Sequence, residues 1–310
     1  GEEAYLKEKA LADLRASLLP DGLAELNETR LEQAETDAII AAAETVPFMA
    51  DRRLVILRDY PPLVGRTEAD DKLTAYLPQV PSSTLLLFYC QQKPEKRKKL
   101  YKAIQKLDGL VTFEPLKGAQ LTSFVIDAFR QRGQEFPSAI ADQLIFISGT
   151  DSANLLSEVD KIAAYHPQNG SITSEDVQAL AVPSLESSVF DMVDAVVSGQ
   201  QKKALTLYRQ LRQARTESMT LLALLLRQYR LLQHLMILRY EHRSQADIAA
   251  AMGLSSYVLS RYMNQANRCS GHQIKEGVQL CLETEYAIKS GRLNADGAVE
   301  AVILKLLIRE

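Results

Sequence analysis

The stretch that decides the fold covers residues 45–57 and reads TVPFMADRRLVIL. An alanine-rich run, Asp37–Glu44, comes before it and predicts a helix. The β-branched apolar run Leu54–Leu57 comes at its end and predicts a buried strand. Because the residue before a proline avoids helical geometry, Pro47 should end the helix ahead of Val46.

Apolar side chains occupy this connection, where a polar loop would be ordinary. Phe48 and Met49 follow Pro47 directly. An aromatic ring and a flexible thioether on a connection suit the pocket of a binding partner. The alternative is that both side chains pack beneath their own domain, and the residues of the stretch alone leave the two interpretations open.

Composition narrows the class of protein. A chain of 310 residues is long for one core, so two or three domains are expected. A net charge of −3 gives no overall attraction to nucleic acid, which would need a local patch. The spacing of the three cysteines and four histidines predicts neither disulfides nor a metal site, which fits a reducing cytoplasm. The longest aliphatic run, Leu221–Leu226, is too short to span a membrane.

Residues 1–117 predict an α/β domain. The predicted strands are short apolar runs separated by helical sequence: Leu23–Asn27, Leu54–Leu57, Thr84–Tyr89 and Gly109–Glu114. Strands without polar alternation, separated by helices, indicate a parallel sheet covered on both faces. Because helical sequence begins at once after Gly1, we also expect a further strand before it.

Beyond residue 117 the strand patterns stop. Residues 118–183 predict a small helical domain, in which Thr173 and Asp176 should form a capping box. Residues 184–310 predict an all-α domain. Its long helix, Met219–Tyr240, is apolar nearly all round, so we expect it at the centre of a bundle.

An α/β domain followed by a small helical domain suggests an ATPase with a lid. The phosphate-loop pattern GxxxxGK[ST] is absent, since the chain has no Gly-Lys-Ser or Gly-Lys-Thr. Glu2 and Glu3 stand near the place of such a loop, where acidic side chains would repel phosphate. We therefore expect no cofactor and no catalysis, and a degenerate nucleoside triphosphatase remains an alternative.

The densest group of basic residues lies on the predicted helix Lys96–Leu107. Lys98, Lys102 and Lys106 would share one stripe of that helix, which could meet phosphates of a nucleic acid. The alternative is an ordinary solvated helix face.

Residues 246–259 resemble a helix-turn-helix motif. Ala249 is the small residue and Gly253 the turn glycine of that pattern. The would-be reading helix is poor in base-reading side chains. Structural helix packing is the other interpretation, and a DNA-binding regulator stays a second hypothesis for the whole chain.

Three stretches together resemble the delta-subunit family of the bacterial DNA polymerase III clamp loader. They are Glu44–Val55, Phe190–Leu205 and Glu285–Leu293. The resemblance implies three domains: an α/β ATPase-like domain of the AAA+ type without a phosphate loop, a helical lid and an all-α collar for oligomerisation. These domains would cover residues 1–117, 118–183 and 184–310.

The segment Ser148–Leu155 resembles the sensor-2 segment of active clamp loaders. Ser152 stands where those proteins place an arginine. The difference implies a subunit without ATPase activity, working as one component of a DNA polymerase holoenzyme.

In this family an apolar tip binds the ring-shaped sliding clamp and opens it. The resemblance therefore implies that Phe48 is the main anchor, with Pro47 and Met49 beside it and Val46 as support. It implies as partners the beta sliding clamp, the delta-prime and tau or gamma subunits, and primer–template DNA, in the cytoplasm at the replisome. No membrane or metal is expected. Four basic residues are candidate DNA contacts: Lys98, Lys102, Lys289 and Arg292.

Overall fold

The structure is a computed structural model, and it describes residues 1–19, 22–65, 70–165 and 172–308. The chain divides into two compact units, Gly1–Leu116 and Lys117–Glu310. The further division of the second unit at residue 183, into a lid and a collar, stays a prediction.

The first unit contains a parallel sheet with the strand order β1-β2-β3. Its strands are β1 Glu28–Glu32, β2 Arg53–Arg58 and β3 Thr84–Tyr89. In the register of the sheet, Leu54 of β2 lies between Glu28 and Leu85. The unit's helices are α1 Ala4–Leu18, α2 Ala24–Asn27, α3 Thr36–Glu44, α4 Pro61–Val64, α5 Asp71–Tyr76 and α6 Lys99–Lys106.

Both faces of this sheet are covered, as predicted. Leu54 and Ile56 pack in one buried cluster with Leu11 of α1. Leu57 packs in a separate cluster with Ile39 of α3. Successive side chains of a strand point to opposite faces, so β2 contributes to a core on each side. This arrangement explains why the sequence of β2 is apolar without interruption.

The prediction of a strand at Leu23–Asn27 is wrong, because residues 24–27 form α2. The strand is the following segment, β1, which the sequence did not reveal. β1 lies at an edge of the sheet and alternates between half-buried and exposed residues. Such a strand needs little apolar sequence, and β1 carries only Leu31.

The prediction of a strand at Gly109–Glu114 is also wrong, since these residues, all described by the structure, follow α6 without strand pairing. A single backbone hydrogen bond, from Glu3 N to Phe113 O at 3.1 Å, ties the segment to the start of the chain. Val111 is 74% exposed. The apolar run has the composition of a strand, but it pairs with no strand among the residues that the structure describes.

The described part of the second unit is helical. The long helix predicted at Met219–Tyr240 is confirmed and begins one residue earlier, at Ser218. The predicted capping box is also present: Thr173 N donates to Asp176 Oδ2 at 2.8 Å. The helices are α7 Ala119–Arg130, α8 Ser138–Ser148, α9 Ser152–Tyr165, α10 Ser174–Leu180, α11 Leu185–Val197, α12 Gln201–Gln213, α13 Ser218–Tyr240, α14 Gln245–Met252, α15 Ser256–Ala266, α16 Gly271–Lys289 and α17 Ala295–Ile308.

Helix α13 lies at the centre of the bundle, as predicted. It packs against α11, α14, α15, α16 and α17. Its length and composition alone would allow it to cross a membrane. However, Leu221, Leu225 and Leu232 are completely buried in the core of the unit. The apolar character of α13 is therefore explained by the neighbouring helices that cover it.

Candidate functional site

The loop between α3 and β2 exposes a cluster of apolar side chains. Val46 is 80% exposed, Phe48 54% and Met49 77%, and Pro47 is half-buried. We call these four residues the apolar tip. The interpretation that Phe48 and Met49 pack beneath their own domain is wrong for this structure, because both side chains face solvent.

Both ends of the loop are attached to buried elements. Helix α3 is fixed by Ile39 and Ala43, which are fully buried. The Thr84 hydroxyl of β3 donates to Ala43 O at 2.7 Å. At Thr45 the backbone turns to extended geometry, close to the end expected from Pro47. The loop therefore begins at the buried helix α3 and ends at the buried strand β2.

A buried asparagine holds the backbone of the apolar tip. Asn27, the last residue of α2, is completely buried. Its Nδ2 donates to Phe48 O at 2.9 Å, and its Oδ1 accepts from Phe48 N at 2.7 Å. Nδ2 also donates to Leu23 O at 3.1 Å. One side-chain amide thus meets both polar groups of the Phe48 backbone.

Sequence reasoning missed Asn27. It lies inside the run that predicted a strand, and no pattern in the chain connects it to the loop. Its partner follows 21 residues later, a separation that only the folded chain brings together.

Met49 adopts a left-handed backbone conformation with φ of 49°. This region costs a residue with a Cβ about 1–2 kcal/mol, and glycine occupies it far more easily. Strained residues of this kind concentrate at ligand-binding sites. The positive φ is compatible with a binding role for Met49 but is not specific to it, since five other non-glycine residues share it: Gln33, Asp59, Asp108, Arg215 and His242.

Charged and exposed residues border the apolar tip. Asp51 and Arg52 follow it and are both exposed. Arg53, which begins β2, donates from Nη2 to Thr29 Oγ1 at 2.7 Å. An apolar centre with a polar rim is the usual composition of a protein–protein contact.

Two side chains in the regions that resemble an ATPase are buried within their own domains. Ser152, in place of the sensor-2 arginine, is only 1% exposed. Lys7, in the helix that follows Glu2 and Glu3, donates from Nζ to Gly1 O and Cys90 O, each at 3.0 Å. Ser152 is therefore buried, and the Lys7 ammonium is used by two backbone carbonyls of its own unit. Neither observation supports the degenerate-triphosphatase alternative.

The candidate DNA contacts of the first unit differ from the predicted stripe. Helix α6 begins at Lys99, and Lys98 is its extended N-cap, so the stripe prediction is wrong at Lys98. The Lys98 ammonium donates to Gly65 O. Lys102 is exposed on the helix. The Lys98 carbonyl still accepts from Lys102 N at 3.1 Å, but its side chain leaves from extended backbone. DNA binding by either residue stays a prediction.

The candidate DNA contacts of the second unit lie near the end of α16. Lys289 pairs with Glu285 one turn earlier, with 2.5 Å between Nζ and Oε1. The Arg292 guanidinium lies over the ring of Tyr286, 5.4 Å from its centroid. Contact of these two residues with DNA also stays a prediction.

The helix-turn-helix shape is present, but its second helix belongs to the bundle core. Gly253 forms the left-handed turn between α14 and α15. Leu259 and Tyr262 of α15 are buried. The Arg261 guanidinium pairs with Asp191 at 3.0 Å and also lies over two phenylalanine rings. Structural packing is the interpretation that this geometry favours.

Comparison with known proteins gives the class first. The fold matches a solved structure of the Bacillus subtilis DNA clamp loader delta protein (YqeN), with a TM-score of 0.57 and 23% identity. The match covers 100% of this chain and 94% of that one. The fold is therefore that of a clamp loader delta protein.

Family models give the particular family. The model of the DNA polymerase III delta subunit matches residues 1–114, and the model of its C-terminal domain matches residues 186–306. The two together cover well over half of the chain. The chain belongs to the DNA polymerase III delta subunit family, which confirms the resemblance read from its sequence.

Curated relatives agree with this assignment. DNA polymerase III subunit delta of Bacillus subtilis (strain 168) is 24% identical over 318 residues, which cover 100% of this chain and 92% of the relative. The probable DNA polymerase III subunit delta of Aquifex aeolicus (strain VF5) is 24% identical over 216 residues, covering 66% of this chain and 60% of the relative.

Proposed function

We propose that this chain binds the ring-shaped sliding clamp of a replicative polymerase and opens the ring for loading onto primed DNA. Membership of the delta subunit family supports a place in a clamp loader. The observation that carries the proposal is the apolar tip, whose side chains are exposed to solvent. The tip is the surface that would meet the clamp.

The energy available from the tip is sufficient for a specific contact. Burying a large apolar side chain contributes about 1.5–3 kcal/mol. Phe48 is the anchor in this proposal, with Met49 and Pro47 beside it and Val46 as support. A few well-packed anchors of this kind dominate the affinity of many interfaces.

Opening of the ring follows from a difference in affinity. If the tip fits the open ring better than the closed one, binding shifts the population of rings towards the open form. The chain needs no nucleotide chemistry of its own for this step. Consistent with that, the phosphate-loop pattern is absent from its sequence and Ser152 replaces the sensor-2 arginine. In this proposal ATP acts in sister subunits, which the resemblance identifies as tau or gamma.

Exposed apolar residues of the second unit suit contacts with those sister subunits. Tyr240 is exposed at the end of α13, and Tyr286 and Leu293 are exposed at and beyond the end of α16. These side chains are available for the collar contacts with delta-prime and tau or gamma subunits. Primer–template DNA would be bound by the assembled loader.

Release of a clamp from circular DNA tests the opening step. The sliding clamp is first loaded onto nicked circular DNA, and the lone chain is then added without nucleotide. We expect the chain to release the clamp, because an opened ring leaves the DNA, and gel filtration separates free clamp from clamp on DNA. A chain that binds the clamp but leaves every ring on the circle would contradict the opening role and leave the binding role standing.

A further inference from the structure

We infer that Asn27 is the positioning residue of the apolar tip: its buried amide fixes the Phe48 backbone in the orientation that binds the clamp. The inference deepens the proposed function and rests on it for the identity of the partner. Asn27 itself does not touch the clamp, because its side chain is completely buried.

The two hydrogen bonds restrict both backbone dihedrals of Phe48. Asn27 Oδ1 accepts from Phe48 N at 2.7 Å, while Nδ2 donates to Phe48 O at 2.9 Å. The relative direction of these two backbone groups depends on φ and ψ of Phe48. Because one planar amide meets both groups, a rotation about either bond breaks at least one hydrogen bond. Phe48 is thereby held in place although its ring is exposed.

The sheet gives Asn27 its own fixed position. Asn27 directly precedes Glu28, which pairs with Leu54 in the register of β1 and β2. Its second amide hydrogen is used by Leu23 O at 3.1 Å. Both hydrogens of Nδ2 and one lone pair of Oδ1 therefore have partners inside the protein. A buried amide with its donors satisfied is a stable anchor, because any rearrangement would leave polar groups unpaired.

Fixing Phe48 before binding should raise the affinity for the clamp. A free loop loses backbone entropy when it orders on a partner, and an ordered loop has already lost it. The exposed ring also stays away from its own domain, where burial would otherwise be favourable. The asparagine thus keeps the anchor both rigid and accessible.

The chemistry of Asn27 provides a discriminating substitution. Asn27→Asp keeps the size of the side chain, but the introduced carboxylate has no hydrogen to donate to Phe48 O. Protonation restores one donor, so the neutral acid can again meet both backbone groups of Phe48. Burial raises the pKa of a carboxyl, so this recovery should begin in mildly acidic solution. Protonation would also relieve any general destabilisation by the buried charge, so the folded fraction of this variant is measured at each pH together with its clamp affinity.

The test measures clamp affinity of the full chain by calorimetric titration at several pH values, always relative to the wild type at the same pH. We expect Asn27→Asp to bind about tenfold more weakly at neutral pH and to approach wild-type affinity as the pH falls. Asn27→Ala, which adds no charge, should show a similar loss without recovery in acid. If the aspartate variant does not fold at neutral pH, the clamp affinity of Asn27→Ala tests the positioning role by itself. Weaker binding supports that role, and wild-type affinity contradicts it.

A measurement without the clamp separates this inference from the proposed function. Chymotrypsin cleaves after phenylalanine, and cutting after Phe48 should be faster in both Asn27 variants than in the wild type. Tyr60→Phe is the matched control: it removes the partly buried hydrogen bond from Tyr60 to Asp70 (2.6 Å), beyond the opposite end of β2. This control should change neither cleavage after Phe48 nor clamp affinity.

Wild-type affinity and cleavage in both Asn27 variants, with binding lost in Phe48→Ala, would overturn the positioning role alone. Wild-type affinity in Phe48→Ala would instead contradict the proposed binding surface. The positioning role would also fail if Tyr60→Phe weakened clamp binding as much as the Asn27 variants do, because the effect would then report general stability.

Discussion

Phe48→Ala should weaken binding of this chain to the sliding clamp by roughly 10- to 100-fold. The substitution removes the largest side chain of the apolar tip, and 54% of that side chain is available to a partner. Full burial of such a side chain contributes about 1.5–3 kcal/mol, so burial of the exposed half accounts for the lower end of this range. Lost packing around a central anchor accounts for the rest. The substitution should leave the stability of the folded chain nearly unchanged, because the ring contributes little to the core.

Calorimetric titration of the clamp with each purified chain measures this effect. Leu107→Ala is the matched control, since Leu107 is 53% exposed in the same unit and lies after α6, outside the tip. The control should bind like the wild type. Equal losses in both variants would mean that the affinity depends on exposed apolar area in general and not on the tip.

Gly277→Ala should destabilise the second unit through a clash inside its helical core. Gly277 lies in α16, where a Cβ would come within 2.5 Å of two ring carbons of Tyr229 in α13. Tyr229 is buried, so its ring cannot move aside without disturbing the core. Overpacking of this kind costs about 1–3 kcal/mol. The pair α13 and α16 can approach so closely only because Gly277 has no side chain.

Thermal unfolding followed by circular dichroism checks this prediction. The melting temperature of Gly277→Ala should fall by several degrees, at about 2–4 °C per kcal/mol for a unit of this size. Gly297→Ala in α17 is the control, because a Cβ there meets nothing within 4 Å. Alanine favours a helix over glycine by about 0.5–1 kcal/mol, so this control should be neutral or stabilising. A fall of the same size in both variants would show that close packing at Tyr229 is not the cause.

Most helices and the strands β2 and β3 could be predicted because their signals are local. Helix α13 is apolar nearly all round and lies in the middle of its bundle, and the cap of α10 was readable from Thr173 and Asp176. Strands β2 and β3 have neighbours on both faces of the sheet, which requires an unbroken apolar sequence.

The errors in the first unit have one physical origin, since strand pairing depends on distant segments. Gly109–Glu114 has strand composition but no ladder partner among the described residues. β1 has a partner, β2, but only one apolar side chain, because its residues are half-buried or exposed. Composition measures burial on a sheet face, whereas a strand is made by backbone hydrogen bonds to a neighbour.

The candidate site also combines local features that the sequence shows with long-range contacts that it does not show. Pro47 and its apolar neighbours stood out in the sequence because loops are rarely so apolar. Exposure of Phe48 was left open by the residues, and the fold was needed to decide it. Asn27 could not be found, since its role depends on two hydrogen bonds across a separation of 21 residues.

The central claim is that the apolar tip is the surface that binds the sliding clamp. Hydroxyl-radical footprinting of the wild-type chain, with and without the clamp, tests it most directly because it needs no substitution. Phe48 and Met49 should be oxidised in the free chain, where they are exposed, and protected in the complex, while Val111 in the same unit reacts equally in both. Unchanged oxidation of Phe48 and Met49 in a complex that has demonstrably formed would contradict the claim.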